Sequence, residues 1–167
     1  MSSHASFTTS LDLSVAQAWA RLQDLTAAAH YVPDVVQCEL HPGPDQGIGA
    51  SRRVTMVKQR WLDETVTAWQ EGEGFVIRLH RGERGAPPPF ANAEFHYRLS
   101  ASDEGKAQIT TAMHYTLRGG VLGKLLDRWL LRKAMSKAVY KIGRNLKRYY
   151  ETGQPSNRPQ STNAEAR

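Results

Sequence analysis

The feature that most constrains the fold is a run of six segments that alternate apolar and polar residues and are separated by short turn signals. The segments span residues 35–41, 50–58, 61–70, 75–81, 92–102 and 107–117. The breaks between them are rich in glycine, proline and charged residues, as in PGPDQGIG and RGERGAPPP. Because strands joined by short turns pair in antiparallel fashion, the sequence predicts a six-stranded meander.

A further strand and two short helices are predicted before the meander. Residues 5–14 alternate as ASFTTSLDLS, which is typical of a half-buried strand. Ser14 is the expected cap of a helix whose apolar residues recur at Val15, Ala18, Trp19 and Leu22. A second helix over residues 27–31 should end before Pro33, because the residue preceding a proline avoids helical geometry.

The chain is expected to close with a long amphipathic helix over residues 121–150. Its apolar residues recur every three or four positions, at Leu122, Leu125, Leu126, Trp129, Leu130, Val139, Ile142, Leu146 and Tyr149. A helix of this length would measure about 45 Å. Residues 154–167 lack large apolar side chains, so they are expected to form a disordered polar tail. The 167 residues suit one domain, over residues 5–153.

Positive charge is concentrated in the predicted C-terminal helix. The chain carries a net charge of +6, of which residues 121–151 contribute +7 and the remainder −1. Such a segment could attract an anionic membrane, nucleic acid or an acidic protein. It could equally be the solvated outer face of a helix. Nucleic-acid-binding motifs are missing from the sequence, so no specific nucleic-acid partner is expected.

Several classes of function are disfavoured by what the sequence lacks. Cys38 is the single cysteine, so neither an internal disulfide nor a thiolate zinc site is expected. Motifs for metal ligation, serine hydrolases and phosphate-binding loops are missing, and we therefore expect no metal and no cofactor. The sequence has neither a secretory signal nor an apolar stretch of about 18 residues, which favours a cytoplasmic protein.

The chain resembles the START-like superfamily, also called SRPBCC or helix-grip, and within it the polyketide cyclase/dehydrase-like branch. The likeness is carried by LDLSVAQAWARLQDL (11–25), YVPDV (31–35), GIGASRRV (47–54), DETV (63–66) and the glycine-led helical segment 119–153. It implies an α+β fold in which a seven-stranded curved antiparallel sheet wraps around the long C-terminal helix. It also implies a cavity between sheet and helix for a lipid, sterol, polyketide, isoprenoid or other apolar molecule.

Strand alternation predicts which side chains line that cavity. The inward set is Val54, Met56, Phe75, Ile77, Leu79, Phe95, Tyr97, Leu99, Thr111, Met113, Tyr115 and Leu117. The long helix should contribute Leu122, Leu126, Trp129 and Leu130 or Lys133. For each residue, plain core packing is as good an interpretation as ligand contact.

Glu64 is the most informative polar residue among the candidates. If Leu62 and Val66 point inward, Glu64 does too. It would then pair with an arginine such as Arg52, orient a polar group of the ligand, or act as a general base. The resemblance to plant hormone receptors of the superfamily allows a cavity glutamate here. Their proline-containing gate loop is replaced by KQR, so hormone reception is not implied.

The strand histidines and the proline-rich loop have predicted positions relative to the cavity. The parity of the strands places His80, His96 and His114 on the solvent side of the sheet. The segment RGERGAPPPF (81–90) is interpreted either as a lid bearing Phe90 over the mouth of the cavity or as a long hairpin loop.

Three functions remain open from the sequence, for a monomer or dimer. The first is binding, for carriage or sensing, of a small hydrophobic ligand. The second is a cofactor-free polyketide cyclase, aromatase or dehydratase that uses Glu64, Arg52 or Arg53, Tyr97 and Tyr115 for acid–base chemistry. The third is an interaction module that docks on a membrane or protein through its basic helix.

Overall fold

All seven strands that the alternation predicts are present in the computed structural model, which describes residues 2–119 and 130–156. The strands are β1 (Ser3–Ser10), β2 (Val35–Leu40), β3 (Ser51–Met56), β4 (Arg60–Gln70), β5 (Gly74–His80), β6 (Phe90–Ala101) and β7 (Ala107–Leu117). The helices are α1 (Val15–Leu22), α2 (Ala28–Tyr31) and α3 (Arg132–Thr152), with a 3-10 turn at Leu25–Ala27. None of the described helices is long and apolar enough to cross a membrane.

The strands form one antiparallel sheet in the order β1-β7-β6-β5-β4-β3-β2. Strands β2 to β7 are thus the predicted meander, and β1 pairs with β7 at its edge. The register aligns Val66, Ile77, Phe95, Met113 and Ala5 in a row across five strands. All five side chains of this row are buried, which identifies the face of the sheet that carries the core.

The strand boundaries differ from the sequence prediction by at most two residues, except at the end of β1. β1 ends at Ser10 rather than at residue 14, although backbone hydrogen bonds of 2.8 Å still join Leu11 and Leu13 to Ala107 of β7. β6 begins at Phe90, two residues before the predicted start, since Phe90 pairs with Leu117 across a register shift. Neither difference changes which face a strand residue occupies.

Helix α1 begins where its capping residue predicts. The Ser14 hydroxyl accepts a hydrogen bond from the Gln17 amide at 3.2 Å, and the Gln17 side chain accepts one from the Ser14 amide at 2.9 Å. This reciprocal pair is a capping box, which satisfies two amides at the helix start. Ala18, Trp19 and Leu22 are buried, as their spacing predicts.

Helix α3 packs across β1 and β7 through a face of alternating large and small residues. Val139, Gly143, Leu146 and Tyr150 are buried on this face. The Thr111 hydroxyl of β7 donates to the Val139 carbonyl at 3.4 Å. The side-chain Nδ2 of Asn145 donates to the Tyr31 carbonyl at 3.1 Å. These bonds fix α3 to both the sheet and α2.

The prediction that Leu130 or Lys133 faces the sheet is wrong. Leu130 is 70% exposed and Lys133 is also exposed, whereas Leu131 and Met135 pack against the core. At about 100° per residue, position 130 lies on the side opposite to Val139, whereas Met135 lies within about 40° of it. Leu122, Leu126 and Trp129 lie outside the described residues.

The segment after α3 is described only at its start. The Ser156 amide donates to the His30 carbonyl at 2.8 Å, which ties the end of the described chain to α2. Most of the predicted disordered tail, residues 157–167, lies outside the described residues.

Candidate functional site

The face of the sheet that carries the core has a sealed part and an open end. Nine of the predicted inward residues are buried: Val54, Phe75, Ile77, Phe95, Tyr97, Leu99, Thr111, Met113 and Tyr115. The other four inward or rim residues, Met56, Leu79, Phe90 and Leu117, are only half-buried. Because neighbouring strands run in opposite directions, the C-terminal ends of β3, β5 and β7 and the N-terminal end of β6 lie at the same end of the sheet. Accessible apolar surface is therefore concentrated at that end.

Glu64 and Arg52 form an ion pair on this face, as one of the sequence interpretations predicted. Arg52 Nε donates to Glu64 Oε2 at 2.6 Å, and Arg52 Nη2 lies 2.6 Å from the same oxygen. The Arg52 side chain is 2% exposed and that of Glu64 is 12% exposed. Arg52 is thus enclosed behind Glu64, and the carboxylate is the accessible member of the pair.

A backbone carbonyl holds the other side of the Arg52 guanidinium. Nη1 of Arg52 donates to the Leu25 carbonyl, which also accepts a hydrogen bond from Cys38 Sγ at 3.4 Å. Arg52 therefore connects β3 to the 3-10 turn before α2. Burial acts to lower the pKa of Arg52, but the Glu64 carboxylate, together with the nearby Tyr31, Cys38 and Tyr97, outweighs it and the pKa lies above its ordinary value. Burial raises the pKa of the Cys38 thiol to about 11, so this thiol stays protonated.

Three buried tyrosines complete the cluster of polar groups around the ion pair. The Tyr31 ring lies 6.5 Å from the Tyr97 ring and 6.2 Å from the Tyr150 ring, measured between centroids. Burial raises the pKa of all three hydroxyls, and a hydrogen bond between Tyr31 and Tyr97 raises that of Tyr97 further. The Tyr150 hydroxyl is buried without a hydrogen-bond partner in the part of the chain that is described.

The sequence interpretation missed Tyr31 and Tyr150 as members of this cluster. Both lie on helices, where strand alternation gives no information. A signal was available for Tyr150, which falls four residues after Leu146 and therefore on the same helical face. For Tyr31 the sequence shows only a position before Val-Pro at the end of a short helix.

The catalytic candidates do not form one group. Arg52, Glu64 and Tyr97 come together, but Tyr115 packs against Phe90 with ring centroids 5.4 Å apart. Tyr115 pairs with Ala93, four residues from Tyr97 along β6, which corresponds to about 13 Å.

The prediction that Arg53 could take the place of Arg52 in the site is wrong, because Arg53 occupies the outer face of the sheet. Its Nε donates to Asp63 at 2.8 Å, and its guanidinium lies 4.2 Å from the Trp61 ring centroid. Burial acts to raise the pKa of Asp63, but hydrogen bonds from Arg53 and His41 outweigh it and leave this pKa below its ordinary value. One step along β3 reverses the face, which explains why Arg52 and Arg53 have different partners.

The histidines of β6 and β7 lie on the outer face, as predicted. The His114 ring stacks on His96 at 4.1 Å and on His4 at 5.6 Å between centroids. His80 of β5 contacts the Thr65 hydroxyl at 2.8 Å on the same face. Within residues 2–119 and 130–156, no three His, Cys, Asp or Glu side chains are arranged to hold a metal ion.

The loop between β5 and β6 lies beside the open end of the sheet. The Arg118 amide donates to the Pro89 carbonyl at 3.0 Å, and its guanidinium donates to the Ala86 carbonyl at 3.3 Å. A cleft of about 330 Å³ separates Leu79 of β5 from Gly85 and Ala86 of the loop. Phe90 itself belongs to β6. That the loop acts as a lid stays a prediction, which hydrogen exchange of residues 81–89 with and without ligand would test.

A larger cleft of about 520 Å³ lies elsewhere, between α1 and the end of α3. Its lining consists mostly of small and charged side chains, including Ala20, Arg21, Asp24 and Glu151. Ligand sites for apolar molecules are lined mainly by apolar and aromatic groups with a few polar ones. The larger cleft does not fit that description, whereas the half-buried apolar side chains at the open end lie on the same face as the Glu64 carboxylate, so we place the candidate site at the sheet.

Comparison with known proteins gives a family and a fold. A family model described as polyketide cyclase / dehydrase and lipid transport matches residues 4–151. The search of curated proteins returned no match. The sheet order and the C-terminal helix are those of the helix-grip fold, which confirms the fold prediction.

Three similar solved structures come from different organisms. A structural-genomics target protein from Nitrosospira multiformis is 12% identical with a TM-score of 0.68, covering 90% of this chain and 98% of that one. TTHA0849 from Thermus thermophilus is 16% identical with a TM-score of 0.67, covering 89% and 97%. Ginseng major latex-like protein 151 from Panax ginseng is 12% identical with a TM-score of 0.62, covering 89% and 97%. At these identities the similarity concerns the fold alone.

Proposed function

The chain belongs to the polyketide cyclase/dehydrase and lipid transport family, and from this premise we propose that it binds a small amphipathic ligand at the open end of the sheet. The ligand's apolar part would contact the half-buried side chains Met56, Leu79, Phe90 and Leu117. Its polar group would hydrogen bond to Glu64. The proposal covers carriage or sensing of the ligand.

The position of Glu64 is the observation that carries this proposal. Glu64 pairs with Leu79 across β4 and β5, so its carboxylate borders the half-buried apolar surface. Arg52 holds one of its oxygens from behind, and the side chain keeps 12% exposure. A carboxylate fixed in this way accepts a hydrogen bond from a hydroxyl or amine without a large loss of its own freedom. A ligand that donates from one end is therefore favoured.

Native mass spectrometry of the freshly purified protein, followed by organic extraction, tests whether a ligand is carried. We expect a stoichiometric apolar adduct with at least one hydrogen-bond donor. An adduct without any polar group would contradict the role of Glu64.

A pair of matched variants tests the location with the neutral fluorescent probe N-phenyl-1-naphthylamine. Leu79→Trp fills the open end, whereas Arg78→Trp adds the same side chain on the exposed outer face of β5. We expect Leu79→Trp to weaken probe binding by at least about tenfold, and Arg78→Trp to retain it. Equal affinities for the two variants would contradict the proposed site.

An acid–base enzyme of the cyclase or dehydratase type is a second candidate. It is favoured by the grouping of a carboxylate, Glu64, with the Tyr97 hydroxyl, whose pKa burial and Tyr31 keep raised. Such a pair offers a proton acceptor and a proton donor in one apolar site. If Glu64→Gln kept affinity for a poly-β-ketone mimic but abolished its turnover, the enzyme would be supported. Equal loss of binding and turnover would leave binding alone.

A further inference from the structure

We propose that the exposed face of α3 docks on the surface of a bilayer that contains anionic lipids. This face is made of Lys133, Lys137, Lys141, Arg144 and Arg148, and we call it the basic face. Docking is a property separate from ligand binding at the open end of the sheet. The proposal rests on three observations, concerning charge, apolar groups and the rest of the surface.

The five cations share one side of the helix and have no ion-pair partner within the part of the chain that the structure describes. At about 100° per residue they fall within an arc of about 80°, over a length of about 22 Å. No ion pair joins them to any residue of the described ranges, and the Arg144 guanidinium instead contacts the Tyr140 hydroxyl at 3.4 Å. Glu151, the nearest acidic residue on α3, is paired with Lys147 at 2.6 Å. The basic face therefore presents unneutralised positive charge.

Two large apolar side chains accompany this charge. Tyr140 is 46% exposed and lies on the same side of α3 as the cations, and Leu130, which is 70% exposed, precedes the helix by two residues. Lysine and arginine together with leucine and aromatic groups are typical of helices that lie on the membrane interface. A nucleic acid would use the charge but would give Leu130 no apolar environment, and an acidic protein would need an apolar patch placed to match it. The lipid surface is thus the partner that uses both kinds of group.

The charge of the rest of the chain favours an orientation with the basic face toward such a surface. Residues 121–151 hold a net charge of +7, and everything outside them sums to −1. A charge distribution of this kind turns the basic face toward an anionic surface and leaves the remainder without attraction. Attraction of this origin weakens as salt screens it.

Flotation with lipid vesicles tests the proposal on the full chain. The vesicles contain phosphatidylcholine and phosphatidylglycerol at three to one, or phosphatidylcholine alone. The face variant is Lys133→Gln/Lys137→Gln/Lys141→Gln. The control is Lys58→Gln/Arg78→Gln/Arg98→Gln, which removes the same charge from exposed positions outside α3. Circular dichroism and binding of N-phenyl-1-naphthylamine verify that both variants fold.

We expect the wild type to float with the anionic vesicles at low salt and not with neutral ones. The face variant should lose about 100-fold in partitioning, since each basic residue near an anionic surface contributes roughly fivefold. The control should stay within a few-fold of the wild type. Leu130→Asn should weaken partitioning by several-fold without any change in charge.

Three results would overturn the proposal. The first is failure of the wild type to float with anionic vesicles at low salt. The second is an equal loss in the face variant and the control. The third is tight binding to duplex DNA at physiological salt together with no flotation, which would assign the basic face to nucleic acid. Because probe binding is measured separately, failure of docking is distinguishable from failure of the ligand site.

Discussion

Arg52 and Glu64 lie directly opposite each other on β3 and β4, with Arg52 Nε 2.6 Å from Glu64 Oε2 on the core side of the sheet. A charged pair in this position is costly to bury, and removing one partner costs more than removing both. Replacing one partner should therefore destabilise the protein more than replacing both, which is not expected for an ion pair on the surface.

We expect Glu64→Ala to lower the free energy of unfolding by about 3 kcal/mol or more, since it leaves the buried Arg52 guanidinium without its counter-ion. The double variant Arg52→Met/Glu64→Leu should be less destabilised than Glu64→Ala alone. Urea denaturation of the two proteins measures both values. A double variant that is destabilised as much as Glu64→Ala, or more, would contradict this coupling.

Gly143 lies where α3 crosses the sheet, and its replacement by alanine should destabilise the protein although alanine is the better helix former. A Cβ at this position would lie 2.5 Å from the Phe7 ring and 3.1 Å from the Thr111 hydroxyl. Helix propensity favours alanine by about 1 kcal/mol, but overpacking costs about 1–3 kcal/mol. We expect Gly143→Ala to be destabilised by about 1 kcal/mol net, as measured by thermal unfolding.

Ser136→Ala is the matched control for Gly143, because Ser136 is an exposed position on the same helix. It should be unchanged or slightly more stable, by about 0.5 kcal/mol. If Gly143→Ala raised the melting temperature, the close approach of α3 to β1 would be disproved.

The stack of His4, His114 and His96 predicts a loss of stability on mild acidification. Burial, followed by the neighbouring His96 and His4, lowers the pKa of His114 from its ordinary value of 6.5, against the opposing charge of Glu94. The unfolded chain then binds more protons than the folded one below about pH 6.5, so stability falls as pH falls. His114→Gln should reduce the difference in unfolding free energy between about pH 7.5 and 5.5.

His30→Gln is the control for the histidine stack. His30 lies on α2 and contacts Tyr149 rather than the other histidines. Its pH dependence should match the wild type. A wild-type pH dependence in His114→Gln would exclude His114 as the group that titrates.

Glu71 joins two tryptophans and predicts a fluorescence change at acid pH. Its carboxylate accepts hydrogen bonds from the Trp69 indole at 3.0 Å and from the Trp19 indole at 2.7 Å, and these bonds lower its pKa. The stabilisation is present at neutral pH and is lost as pH falls through the lowered value. Glu71→Gln should remove this transition from the tryptophan emission, whereas Glu73→Gln should keep it. Identical titrations would contradict the contact.

The sequence predicted the strands and most of their faces, because strand alternation has only two phases, but it left the phase of β4 open. Once Val66 is placed inside, Glu64 follows, and Arg52 is brought opposite by the antiparallel register. The same logic placed His114 outside. A one-residue error would have exchanged both faces, and the turn signals between the strands prevented it.

The helix was predicted less well, because apolar spacing does not say which of two stripes is buried. In one regular helix, Leu122, Leu126 and Leu130 fall on the side of Lys137, opposite to Val139 and Leu146. The tyrosine cluster was missed for another reason, since Tyr31, Tyr97 and Tyr150 come from three elements and only tertiary packing brings them together.

Binding of an amphipathic ligand at the open end of the sheet beside Glu64 is tested by NMR of methyl-labelled protein titrated with N-phenyl-1-naphthylamine. We expect the methyl signals of Leu79, Leu117 and Met56 to shift, while those of the exposed Val36 and Ile48 stay unchanged. Shifts confined to Ala20 and Ala27, which line the larger cleft, would contradict it.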